Sequence, residues 1–178
     1  MSQPRPPQPA KLLIGMFSRH IGLFQTIIDQ MESLFGPVDL ISPWFEFNWT
    51  QYYEAEMGSG LWRRMAAFVP LIGQDRLPEI KQQTNSLESG YMEGENRRIN
   101  IDPGYLLPER FVLATGKNFT HRIYLGKQVY ADLTLLYQKG GFQTLPWTYP
   151  DYAQADIQAF LTRVRNKYLK DLKTDGHL

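Results

Sequence analysis

Cysteine is missing from all 178 residues, which removes disulfides, a thiol nucleophile and thiolate metal sites together. Zinc ribbons and thiol redox chemistry are excluded, and the composition fits a reducing cytosol. An excess of either charge is missing too. Lys and Arg number 19 against 18 Asp and Glu, so no global field draws the chain to nucleic acid or to an anionic membrane. No segment approaches the roughly 20 uninterrupted apolar residues of a membrane span. There is no repeat at a solenoid period and no linker rich in glycine and serine. The first ten residues, MSQPRPPQPA, hold four prolines and no apolar run of the kind a signal peptide carries. These absences lead us to expect an extended tail over 1–10, a single domain over 11–173, a frayed tail over 174–178, and a cytoplasmic protein with neither nucleic acid nor membrane as partner.

What is present is enough for a core: 43% of the residues are hydrophobic. KLLIGMFS, residues 11–18, is nearly all apolar and suits a strand buried on both faces. Leu23, Phe24, Ile27, Ile28, Met31, Leu34 and Phe35 recur at helical spacing, with a stop at Gly36-Pro37. Residues 38–48 read as a strand broken at Pro43. Leu61, Trp62, Met65 and Phe68 predict a further helix after the break at Gly58 and Gly60, and residues 77–91 another, with Pro78 in its first turn. RRINID and RFVLAT read as strands on either side of a DPGYLLPE connection. A last helix beginning near Asp151 carries Ile157, Phe160, Leu161, Val164, Tyr168 and Leu172 on one face. The fold class is therefore α+β, a largely antiparallel sheet with helices packed on one face.

Residues 117–137, KNFTHRIYLGKQVYADLTLLY, alternate as a β-hairpin. A three-residue turn at Gly126-Lys127-Gln128 sets Leu125 opposite Val129, Tyr124 opposite Tyr130, Ile123 opposite Ala131 and Arg122 opposite Asp132. His121 then falls on the apolar face. Arg122, Tyr124, Tyr130, Asp132 and Thr134 share the polar one. In RRINID the same alternation exposes Asn100 and Asp102, so the two aspartates and Arg122 gather on one sheet face if both strands share it. An ordinary solvated face with a weak cross-strand pair accounts for the same pattern.

Several segments, YYEAEMG, IKQQTNSLE, RRINIDPGYL, VLATGKNFTHRIYL, VYADLTLLY and PWTYPDY, resemble those of the prokaryotic domain-of-unknown-function family 4416. The resemblance runs over residues 11–168. It implies no activity and no catalytic residues, although members carry a "GTP-binding protein" label. That label finds no P-loop here: Gly116-Lys117 is followed by Asn118, and Phe111 stands where the first glycine belongs. Asp102-Pro103-Gly104 also lacks the spacing of a D-x-x-G switch.

Other candidates are local. Lys81, Asn85 and Glu88 form a polar stripe on their helix, facing either a ligand or solvent. Glu46, Glu54 and Glu56 are carboxylates suited to Mg²⁺ or acid–base work, with no spacing that fixes their separation. His20, after the first strand, stands beside Arg19, which can take an anion; His121 and His177 are scattered and form no zinc pattern. Thr148 and Asp151 match a capping box. Arg163, Lys167 and Lys170 lie along one side of the last helix without an aromatic platform for RNA.

The leading expectation is a binding site for a small anionic or nucleotide-like ligand on the polar sheet face, with a divalent metal such as Mg²⁺ and catalysis both left open. Asp102 and Asp132 are its metal or general-base carboxylates, Lys117 and Arg122 its anion clamps, and Asn100, Tyr124, Lys81, Asn85 and Glu88 its further lining. The alternative is a non-catalytic interaction module built on Trp44, Phe45, Phe47, Trp49, Tyr52 and Tyr53.

Overall fold

The computed structural model describes residues 3–174 and residue 176. Strand β1 (Ala10–Ser18) is buried along its whole length, as its apolar run requires. It starts at the last residue assigned to the tail. The two residues before it are held as well, for the Gln8 and Pro9 carbonyls accept hydrogen bonds from Gln74 and from the Tyr168 hydroxyl. Helix α1 (Leu23–Phe35) follows, then β2 (Val38–Ile41) and β3 (Phe45–Phe47), separated at Pro43. Ser42 preserves the pairing across that break. Its N–H donates to the Met65 carbonyl and its hydroxyl accepts from the Met65 N–H, both at 2.9 Å.

Residues 54–72 depart from expectation. A single turn of helix, α2 (Glu54–Met57), leads into β4 (Leu61–Ile72), so Leu61, Trp62, Met65 and Phe68 lie on a strand. The strand is paired on both sides and buried on both faces in its middle, so its apolar residues lose the period-two signature and mimic a helix stripe. Helix α3 (Leu77–Ser89) carries Pro78 in its first turn. The short hairpin β5 (Met92–Glu93) and β6 (Asn96–Arg97) leads to β7 (Asn100–Leu107), which continues through the DPGYLL segment read as a connection. Only residues 108 and 109 turn the chain into β8 (Arg110–Thr115).

Strands β9 (Arg122–Gly126) and β10 (Val129–Gln138) form the expected hairpin. Its register has Tyr124 opposite Tyr130, Ile123 opposite Ala131 and Arg122 opposite Asp132. The turn is one residue shorter than expected: Val129 pairs with Gly126, and Lys127 and Gln128 both take positive φ, as a tight two-residue hairpin turn demands. Strand β11 (Gly141–Thr144) and helix α4 (Ala155–Thr174) complete the chain.

Among the described residues the large sheet has nine strands in the order β11-β10-β8-β7-β1-β4-β2, with β3 also on β4 and β9 also on β10. Every ladder is antiparallel. The α+β class and the antiparallel sheet are as expected, but helices cover both faces. Helices α1 and α3 pack on one face against Leu12, Ile14 and Met16, while α4 packs on the other against Leu13, Met65 and Leu106. Lys11, fully buried, ties α4 down through Asp171 at 3.1 Å and reaches Asp39 at 2.5 Å. Beyond α4 the other half of this face carries Asn100, Asp102 and Asp132, of which Asn100 and Asp132 are buried.

Strands β7 and β8 approach most closely at Gly104, where an added methyl would lie 2.5 Å from the Val112 carbonyl oxygen. Gly104→Ala should therefore destabilise the domain by about 2 kcal/mol, read as a lowered urea midpoint with unchanged slope. A midpoint equal to the parent's would show that the two strands can part without loss.

Candidate functional site

The site begins with a split in the sheet. The β7–β8 ladder runs from Gly104 to Leu107 only, after which β8 turns away with β10. The outward backbone groups of Ile101 thus lack a strand partner, and a buried N–H or C=O cannot stay unpaired cheaply. Helix α3 supplies both partners: the Ile101 N–H donates to Glu88 Oε1, and Lys81 Nζ donates to the Ile101 carbonyl at 3.1 Å. Lys81 and Glu88 are accordingly buried, against the solvated-face reading, whereas Asn85 between them is exposed.

From this point a polar chain runs along β7. Lys81 Nζ lies 3.5 Å from Asp102 Oδ1; Asn100 Nδ2 donates to Asp102 Oδ2 at 2.6 Å; Arg97 donates to Asn100 Oδ1 at 2.7 Å and to both oxygens of Glu56 at 2.6 and 2.7 Å. Glu56 lowers its pKa through those bonds, and they raise that of Arg97. Burial, opposed by Lys81 and reinforced by Asp102, pushes Glu88 up to about 7.

Across the split, Asp132 is the second centre. Its side chain is 1% exposed and accepts from Arg122 Nε at 2.9 Å, with His121 Nε2 at 3.1 Å. His121 sits in the turn before β9, so its ring swings to the Asp132 side instead of the apolar face, and it stacks on Trp147 at 4.7 Å. The rest of the Arg122 guanidinium donates to the Lys117 carbonyl at 3.0 Å and to the Tyr149 hydroxyl at 2.7 Å. This is a desolvated hub, unlike the weak surface pair that the sequence also allowed.

A third buried group lies between the polar region and α4. Arg63, on β4, is buried beneath Phe17, Phe47 and Tyr152 and forms an ion pair with Asp151. Desolvation is the largest influence and opposes its charge, but Asp151, joined by Tyr152, Asp102 and Tyr53, raises its pKa on balance. Asp151 therefore anchors the segment before α4 to the sheet; α4 itself starts at Ala155, and Thr148 donates to the Thr134 carbonyl instead of capping it. Burial followed by Asp102 pushes the Tyr53 hydroxyl up to about 12. Tyr149 is also raised, by burial first, with Arg122 opposing and Asp132, Asp102 and Asp151 all adding, so its hydroxyl stands within the fields of three carboxylates.

Asp102, Asp132, Asn100, Lys81, Glu88 and Arg122 thus belong to one polar region. Lys117 lies at its rim, its Nζ 3.0 Å from the Tyr52 hydroxyl and over the Tyr52 ring. Tyr124 is exposed on the hairpin against Tyr130. Asn85 makes no side-chain contact in the region. Sequence reading did not reach Arg63, Arg97 or Tyr149, which come from distant elements. Among the described residues, no three His, Asp or Glu side chains are placed to share a metal ion. One cavity of about 260 Å³ is lined by Arg19, His20, Glu56, Arg97 and Arg98 among others, and a second of about 280 Å³ by Glu46, Glu54 and Trp62 among others; Asp102 and Asp132 line neither. His177 lies outside the described residues. No helix among the described residues is long and apolar enough to cross a membrane.

Fold and site together define an α+β protein whose antiparallel sheet is apolar under α4 and ionisable beyond it. The chain belongs to the family described as a domain of unknown function (DUF4416), whose model matches residues 8–168. Comparison with curated proteins and with solved structures finds no match.

Two measurements follow from the network. Asp151→Ala strands the Arg63 guanidinium and should cost about 3 kcal/mol or more in chemical denaturation; a loss below 1 kcal/mol would mean that the three rings hold the cation unaided. Glu88 binds its proton more tightly folded than unfolded, so its stabilising contribution is complete below about pH 4.5 and is lost as the pH rises through about 7. The shift from 4.5 to about 7 corresponds to about 3 kcal/mol as an upper bound. The stability difference between the parent and Glu88→Gln should thus shrink from pH 4.5 to 7.5, and a constant difference would assign Glu88 an ordinary pKa.

Proposed function

We propose that this protein binds a small anionic, nucleotide-like ligand on the half of the sheet face beyond α4. One observation carries the reading: on this half of the face Asp132 and Arg122 stand on one side of the split, Asp102 stands on the other, where Lys81 and Glu88 reach β7 from α3, and the exposed rings of Tyr52 and Phe119 lie beside Lys117 and Arg122. A core would fill that half with apolar side chains, since burying charge is costly unless it serves a site. Lys117 and Arg122 supply positive charge for the anion. Tyr52 and Phe119, 66% and 61% exposed, flank Lys117 and Arg122 and offer faces for a planar group.

Asp102 is the better placed of the two carboxylates to receive a hydrogen bond or a proton from the ligand. Its side chain is 28% exposed, whereas Asp132 is sealed beneath Arg122 and His121 and positions them. Tyr149 links the halves through Arg122. The alternative reading as an interaction module loses Phe45 and Phe47, which are buried in the core. A cytoplasmic protein with no nucleic-acid partner agrees with the balanced charge and the missing cysteine.

The test is a thermal-shift panel of guanine and adenine nucleotides with and without Mg²⁺. A ligand at a hundredfold excess over Kd stabilises by about 2.7 kcal/mol. A selective upward shift, lost in Lys117→Ala and Tyr52→Ala, whose side chains are exposed, is the expected result. A flat response to every nucleotide would discard the nucleotide class, and a shift untouched by both variants would discard the site.

A further inference from the structure

The cavity of about 260 Å³ lies at the C-terminal end of β1, at the far end of the polar chain, with which it shares Arg97 and Glu56. Three arginines, Arg19, Arg97 and Arg98, line it with His20 and two glutamates, Glu56 and Glu93. The charges do not cancel locally. Glu56 is committed to Arg97 through two short bonds, which leaves Glu93 facing Arg98 at 3.9 Å with its own side chain 75% exposed. Arg98 Nε is buried and, among the described residues, has no hydrogen-bond partner. Arg19 donates from Nε to the His20 Nε2 at 3.2 Å, a neutral acceptor, so its charge is unanswered by any described carboxylate contact.

The framework around these cations is fixed. Ser18, fully buried, donates its hydroxyl to the Arg98 carbonyl at 2.5 Å and accepts from the His20 N–H at 2.9 Å, which locks the loop bearing Arg19 and His20 against the strand entrance bearing Arg98. Such an arrangement presents several guanidinium N–H donors to one cavity, the geometry that recognises tetrahedral oxyanions.

We propose that this cavity is a binding site for a phosphate-type oxyanion, free or as the terminal group of a small metabolite, held by Arg19 and Arg98 with His20 as a further donor. The groups facing His20 support it. Burial first, then Arg98 and Arg19, lower its pKa, and Glu93 alone opposes them, so an anion in the cavity supplies the counter-charge that lets the imidazole take a proton.

The experiment is calorimetric titration of the full chain with inorganic phosphate and, separately, methyl phosphate, at constant ionic strength, with a parallel NMR titration of His20. Saturable one-to-one binding is expected, weakened at least tenfold in Arg19→Ala and in Arg98→Ala and unchanged in Lys139→Ala, whose lysine lies in the turn between β10 and β11 and lines neither site. The His20 pKa should rise when phosphate is present. Tighter binding of methyl phosphate assigns the terminal group of a metabolite, and equal binding assigns the free ion. Arg19 is exposed, so its variant carries the test if Arg98→Ala fails to fold. Absence of saturable binding, equal binding by Arg19→Ala, or a loss confined to Lys117→Ala would overturn the assignment. The last result would place phosphate on the sheet face instead.

Discussion

The backbone of Ile101 governs the polar half of this protein. Once β8 leaves β7 beyond Gly104, one N–H and one C=O must find partners inside the molecule, and α3 provides a carboxylate and an ammonium for them. Two opposite charges inserted at a sheet edge impose further conditions. Lys81 calls for a counter-ion, which Asp102 offers, and Glu88 draws Arg97 to within 3.7 Å. Arg97 then takes Glu56 and Asn100. A local failure of strand pairing thereby becomes an extended ionic network.

The other half of the face shows what the same sheet does without that failure. Under α4, Leu13, Met65, Leu106, Phe111 and Leu135 meet Ile157, Leu161 and Val164 in a continuous apolar layer. Arg63 marks the border. Its guanidinium is walled by aromatic rings and neutralised by Asp151, which belongs to the segment leading into α4. The helix position and the polar region are thus joined through one ion pair, and Tyr149, which meets Arg122, belongs to the same segment as Asp151.

Much of the architecture was legible because it follows short-range rules. Periodicity marked α1 and α4, Pro78 marked the start of α3, and the apolar run marked β1. The hairpin pairing of Arg122 with Asp132 followed from counting residues around its turn. Strand β4 was misread since a strand buried on both faces has no alternation, and its Leu61, Trp62, Met65 and Phe68 happen to fall at helical spacing. Pro103 disguised β7 as a connection, although it lies buried within the strand. The candidate site was half legible: Asp102, Asp132, Lys81 and Glu88 could be singled out by their positions on elements. Arg63, Arg97 and Tyr149 could not, because their roles depend on elements from opposite ends of the chain meeting over the split.

The place of β1 has a consequence for how the protein is made. The first strand of the chain lies at the centre of the sheet, between β4 and β7, and is buried along its full length. During synthesis its LLIGMF run is made before either of its pairing partners. Folding must wait for distant segments, which makes it slow, and leaves an apolar edge uncovered in the meantime. That edge is closed only when residues 61–107 have been made, so the order of the strands along the chain, not the stability of the finished fold, sets how long it stays open.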